Sequence, residues 1–187
     1  DEPLAVLCGD ALIVLAFESL ATASLNASDR LGPMIGVLAR SSGMPTGICS
    51  GQGWESEKTI DLRAYHKLKT ASLFVAATQM GAISAGEDPE PWTELGTRIG
   101  EAFQVADDLK DFAETKESGK SNNRDVENDR PNAVMKLGEK GAINRLQDIL
   151  AGAIASIPSC PGEVDLIKIV RKQAERLTPV QPLQKTL

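Results

Sequence analysis

Apolar residues recur at helical spacing along almost the whole chain, and the interruptions fall at glycine, proline or short polar runs. Leu4 to Ser24 reads as one helix, apolar around most of its circumference and ended by the polar run Asn26 to Asp29. A helix of that kind is expected to lie buried among others. A second helix spans Leu31 to Ser42, stopped by Gly43 and Pro45, and a third runs from about Thr46 to Glu57. Asp61 is placed to cap a long helix reaching Ala85, closed by Gly86 and the pair Pro89 and Pro91. The next runs from Trp92 to about Phe112. After a polar stretch, Thr115 to Asn132, two more cover roughly Asn132 to Ile157 and Glu163 to Leu177. Aromatic residues make up only 4%, which disfavours a β-sandwich. The reading is a single all-α domain over residues 1–187.

Charge and cysteine usage narrow the function classes. A net charge of −6 excludes bulk attraction to nucleic acid or to an anionic membrane surface. Cys8, Cys49 and Cys160 are far apart and form no CxxC pair, which argues against a disulfide framework or a zinc site and for a reducing, cytoplasmic compartment. The apolar run Leu4 to Phe17 is broken by Gly9 and Asp10 and reads as too short to span a bilayer, so no transmembrane segment is expected. No GxSxG, Walker A or GxGxxG pattern occurs, and the lone His66 suits a structural role better than a catalytic one. The chain opens on Asp1, Glu2 and Pro3 without an initiator Met, directly ahead of the apolar helix, and an upstream portion is expected.

The most informative segment runs from Gly100 to Asp111 and contains Asp107, Asp108 and Asp111 in DDxxD spacing. On a helix Asp107 and Asp111 share a face, with Asp108 turned by about 100°. Two like charges ~4 Å apart repel by roughly 4 kcal/mol at an effective dielectric of 20. Carboxylates so grouped are either well solvated, raised in pKa, or joined by a cation. With no His or Cys nearby, oxygen ligands suit Mg²⁺ or Mn²⁺ better than zinc. Ile99, Ala102, Phe103, Ala106 and Leu109 form the apolar side of this helix. Gly96, Gly100, Gln104, Asp107 and Asp111 form a neighbouring stripe, whose glycines suit either a ligand lying along it or close helix packing.

Positive charge is available in two places. Lys69, followed by Thr70, falls on one helical face with Leu62, Tyr65, Leu73, Ala76 and Met80, where a lysine either snorkels to water or meets an anion in a cavity. The Thr115 to Asn132 stretch carries Lys120, Arg124 and Arg130, balanced by Glu117, Asp125, Glu127 and Asp129. A segment of that length is functional or disordered. Its cations suit closure over a phosphate, and its near neutrality equally suits a solvated surface loop.

Five segments, in order along nearly the whole chain, resemble the trans-isoprenyl diphosphate synthases. The likeness leans towards the bacterial geranylgeranyl diphosphate synthases of carotenoid and bacteriochlorophyll pathways. Leu7-Cys8-Gly9-Asp10-Ala11-Leu12, followed by Ala16-Phe17-Glu18, resembles the family's LAGDALL helix. Gly51-Gln52 with Trp54-Glu55 resembles its GQ segment, and Tyr65 to Thr70 its YxxKT element. Gly100 to Asp111 is similar to its GxAFQxxDDxxD motif, and Gly119-Lys120, Asp125 and Arg130-Pro131 to its GK…D…KP loop.

The resemblance implies an all-α homodimer with a central cavity that joins isopentenyl diphosphate to an allylic diphosphate, with Mg²⁺, or Mn²⁺ in its place, bridging the allylic diphosphate to two aspartate-rich motifs. It implies that Asp107, Asp108 and Asp111 hold metal and that Lys69, with Thr70 beside it, binds the allylic diphosphate. Gln104 would lie near the reacting ends and Lys120 would close on the diphosphate. Arg130 stands where many relatives have lysine. The family's first aspartate-rich motif precedes the LAGDALL helix, and Asp107-Asp108 is the only Asp-Asp pair here. The chain therefore reads as the C-terminal part of a synthase, expected to be inactive and poorly stable alone. Two other readings share the fold. One is a regulatory subunit, which need not keep the second motif or Lys69. The other is a terpene cyclase, whose N/D-D-x-x-S/T-x-x-x-E element is not found.

Overall fold

The computed structural model describes residues 2–23, 27–54, 57, 67–118 and 132–177. Its regular elements are all helical, with no strand among the described residues. The all-α reading holds.

Helix α1, Glu2–Ala23, matches the expected span but not the expected burial. None of its residues is buried, and Leu4, Val6, Leu7, Leu12, Val14 and Leu15 are each more than half exposed. Only its C-terminal end enters a core among the described residues: Leu20 packs on Met34, Val37, Ala76 and Ile83. At 22 residues, about 33 Å at 1.5 Å per residue, α1 is long and apolar enough to cross a bilayer by length and composition alone. This corrects the reading of a run too short to span, because Gly9 and Asp10 do not interrupt the helix and it continues past Phe17. A core helix of a soluble protein passes the same test.

Helix α2, Ser28–Ser42, follows and buries Met34, Val37 and Leu38. Helix α3 is shorter than expected, Ile48–Gly53. The proposed Asp61 cap, with Leu62, Tyr65 and His66, lies outside the described residues. A π-helical turn, Lys67–Ala71, then leads into α4, Ser72–Ala85. Gly86 ends α4 as expected. Its φ of 83° is left-handed, and the Glu87 N–H returns to the Ala82 carbonyl at 2.9 Å, the pattern that closes a helix on glycine.

A 3₁₀ turn, Glu90–Trp92, opens α5, Thr93–Ser118. This helix runs six residues beyond Phe112 and takes Thr115–Ser118 out of the expected polar loop. Helix α6, Ala133–Ala155, carries a non-helical residue at Gly138 (φ 72°, ψ 163°), and α7, Glu163–Leu177, falls where the sequence puts it.

The packing divides into two compact units, residues 1–97 and 98–187. Unit 1 centres on Met34 and Val37 of α2 against Ala76 and Ile83 of α4. Unit 2 centres on Ala102, Val105, Ala106 and Leu109 of α5 against Val134, Ala142, Leu146, Ile149 and Leu150 of α6.

Candidate functional site

Lys69 and Thr70 belong to unit 1 and share the π-helical turn, where both are half-buried. The helical wheel drawn through Lys69 at 3.6 residues per turn does not apply there, because hydrogen bonds in a π turn reach one residue further and rotate the following side chains. This wider turn is held from two sides. The Ser72 hydroxyl donates to the Leu68 carbonyl at 2.7 Å. On the other side α3 presents Gly51, where an added Cβ would lie 2.4 Å from the Lys69 nitrogen and 2.6 Å from its Cα. Gly51 thus puts a buried, side-chain-free surface directly under the Lys69 backbone.

Gly96 is also explained by packing. A Cβ there would meet Val75 Cα at 2.5 Å and the Thr78 hydroxyl oxygen at 2.7 Å, so it lets α5 approach α4 closely. Of the two readings of the glycine stripe, close helix packing accounts for this residue. The Thr78 hydroxyl fixes the same junction by donating to the Trp92 carbonyl at 2.9 Å.

Gln104, Asp107, Asp108 and Asp111 belong to unit 2 and lie on one continuous helix. Asp107 and Asp111 are exposed, one turn apart on a shared face, as the spacing predicts. Asp108 is different. It is 8% exposed and accepts two hydrogen bonds, from Gln104 Nε2 at 3.1 Å on Oδ1 and from the Ala133 backbone N–H at 2.7 Å on Oδ2. The apolar side of α5 is close to the expected one: Ala102, Ala106 and Leu109 are buried, Val105 joins them, and Phe103 stays 44% exposed.

Asp108 completes the start of α6. Four N–H groups at a helix N-terminus lack a partner within the helix's own repeat. Here three of them have one: Ala133 donates to Asp108, and Val134 and Met135 donate to the Asn132 side chain at 2.8 and 3.3 Å, while the Lys136 N–H, bonded to the Asn132 carbonyl, makes the first bond of the helical repeat. Farther along, Glu101 of α5 pairs with Arg145 of α6.

An open cleft of about 350 Å³ runs along α5 in unit 2, lined by Phe103, Ala106, Asp107 and Leu109, with Lys110 and Arg176 adding positive charge. The sequence reading missed Arg176 and Asn132. Arg176 looks like any solvated residue of an amphipathic helix. Asn132 did carry a signal, since Asn directly before an apolar periodic run is a favoured N-cap. Lys120, Arg124 and Arg130 lie outside the described residues, as does Glu55.

Among the described residues, no three side chains of His, Cys, Asp or Glu converge to hold a metal ion. Asp107 and Asp111 do offer exposed carboxylate oxygens one turn apart. That fits Mg²⁺, which keeps several waters and is commonly held by one or two carboxylates together with substrate phosphates.

The described fold is all-helical, with the DDxxD face on α5 in unit 2 and the Lys69 turn ahead of α4 in unit 1. Residues 1–166 match the profile of the polyprenyl synthetase family, and the chain belongs to that family. Over 181 residues it is 58% identical to the geranylgeranyl diphosphate synthase of Cereibacter sphaeroides and 54% identical to that of Rhodobacter capsulatus. Each match covers 96% of this chain and 63% of the relative, so the chain spans less than two thirds of the length of these curated relatives. Among solved structures, the geranyltransferase of Helicobacter pylori, complexed with magnesium and isoprenyl diphosphate, aligns with a TM-score of 0.72 and 28% identity. That alignment covers 94% of this chain and 62% of the other.

Proposed function

We propose that the protein carrying this chain is a cytoplasmic, homodimeric, Mg²⁺-dependent prenyltransferase. It condenses isopentenyl diphosphate with an allylic diphosphate to a short-chain prenyl diphosphate, with geranylgeranyl diphosphate as the product. The observation that carries this reading is the pair Asp107 and Asp111, exposed one turn apart on a helix of a polyprenyl synthetase chain.

In the proposed reaction the allylic C–O bond breaks and diphosphate leaves with the electron pair. The double bond of isopentenyl diphosphate then forms the new C–C bond, and loss of a proton regenerates an alkene. Mg²⁺, or Mn²⁺, when bound supplies Lewis-acid charge to the leaving diphosphate oxygens. Asp107 and Asp111 would hold that ion. Lys69 sets a cation on the π-helical turn to bind the allylic diphosphate, and Thr70 adds a hydroxyl donor beside it. Gln104 presents an amide near the reacting carbons, and Lys120 and Arg130 supply further charge to the diphosphate. No covalent nucleophile is required. An acidic chain holds two diphosphates in this way because a bound cation and a few basic residues reverse the local sign.

The test is incorporation of labelled isopentenyl diphosphate into allylic product, with Mg²⁺ and with a chelator, by this chain and by a version extended upstream in its own gene. Turnover by the extended version, lost on chelation, is the expected outcome. If neither form turns over but the chain alters the rate of a partner synthase, it is a regulatory subunit instead.

A further inference from the structure

The aspartate cluster is not uniform, and the odd member is Asp108. Asp107 and Asp111 are exposed, whereas Asp108 is turned inward with a donor on each carboxylate oxygen. We infer that Asp108 is a positioning residue and not a metal ligand: it fixes the Gln104 amide through Oδ1 and anchors that arrangement to the N-terminus of α6 through Oδ2.

The chemistry of the partners sets the direction. A carboxylate only accepts hydrogen bonds, so the edge of Gln104 that faces Asp108 must be the NH₂. The carbonyl oxygen Oε1 is then on the edge turned away from Asp108. The carboxylate itself is held by the 2.7 Å bond from Ala133, at a helix end whose partial positive charge favours an anion. Leaving this position to join Asp107 and Asp111 on a cation would strand the Ala133 N–H. The neighbouring Asn132 side chain already serves Val134 and Met135, and among the described residues it is the acceptor at hand. The carboxylate thus links two elements: it holds the Gln104 amide on its own helix α5 and reaches the first residue of α6.

This inference rests on the proposed prenyl transfer only in giving Gln104 a role in the reaction. The hydrogen-bond part stands without it. The decisive variant is Asp108→Asn, which keeps the shape. Its Oδ1 can still accept from Ala133, but its Nδ2 then faces Gln104, which must turn its carbonyl edge inward. In the upstream-extended protein, Asp108→Asn is expected to lower kcat by roughly tenfold or more while the half-saturating Mg²⁺ concentration stays within about twofold. Asp107→Asn is expected to raise that concentration by roughly tenfold. Gln104→Leu added to Asp108→Asn should cost less than about twofold further, since residues acting as one unit are non-additive.

Two readouts do not depend on turnover. Asp108→Ala should lower amide-exchange protection at Ala133 by roughly tenfold, and Asp108→Asn should shift the Gln104 side-chain NH₂ resonances while leaving Ala133 protected. The inference is overturned if Asp108→Asn shifts the Mg²⁺ requirement as Asp107→Asn does. It is also overturned if Ala133 protection and the Gln104 resonances do not respond. Absence of turnover in the unmodified protein would sink the prenyl-transfer reading, and the exchange and resonance measurements would still decide the hydrogen bonds.

Discussion

Among the described residues Leu146 and Ile149 are the largest fully enclosed side chains, at 0% and 1% exposure, and both belong to the core that joins α6 to Ala102, Val105, Ala106 and Leu109 of α5. Leu146→Ala removes three heavy atoms from a packed core, so unfolding should become easier by ~2–5 kcal/mol. Urea denaturation measures this, and a loss under about 1 kcal/mol would mean that the site collapses around the gap. Asn132→Ala removes the acceptor for two N–H groups at the start of α6 and should cost about 1 kcal/mol by the same measurement. At this scale the sequence was half legible. Asp107 and Asp111 share a face because spacing alone determines it. The inward bond of Asp108 was not readable, because its partner is a backbone N–H 25 positions away and side-chain identity carries no trace of that.

The elements were legible wherever ordinary helical geometry and a clear stop signal coincide. Gly86 closes α4 and α7 has the expected limits for that reason. The π turn at Lys67–Ala71 escaped, since a wheel assumes one constant period and this turn departs from it at the residue of most interest. Its support is a specific prediction. Gly51→Ala would place a methyl group 2.4 Å from the Lys69 nitrogen, so the turn must move. The expected cost is ~1–3 kcal/mol of stability, the range for overpacking. A raised KM for the allylic diphosphate in the extended protein should accompany it, with the Mg²⁺ requirement unchanged. Steady-state kinetics beside thermal unfolding checks both, and an unaltered KM would detach Gly51 from the Lys69 position.

For the whole molecule, apolar periodicity and scarce aromatic residues were enough to give an all-α chain, and the ordered motifs were enough to give its family. Burial was the weaker inference. The sequence of α1 says that its surface is apolar, but whether another surface covers it depends on residues elsewhere, and no described residue covers most of it. Lys120 and Arg130 likewise enter the account through sequence and resemblance, since both lie outside the described residues. The central claim is that a polyprenyl synthetase chain holds its catalytic metal on the exposed aspartates of α5. Turnover of labelled isopentenyl diphosphate by the upstream-extended protein, compared with its Asp107→Ala variant across a Mg²⁺ titration, tests it most directly. The account predicts Mg²⁺-dependent product from the former and none from the latter at any Mg²⁺ concentration; near-normal turnover by Asp107→Ala would contradict it.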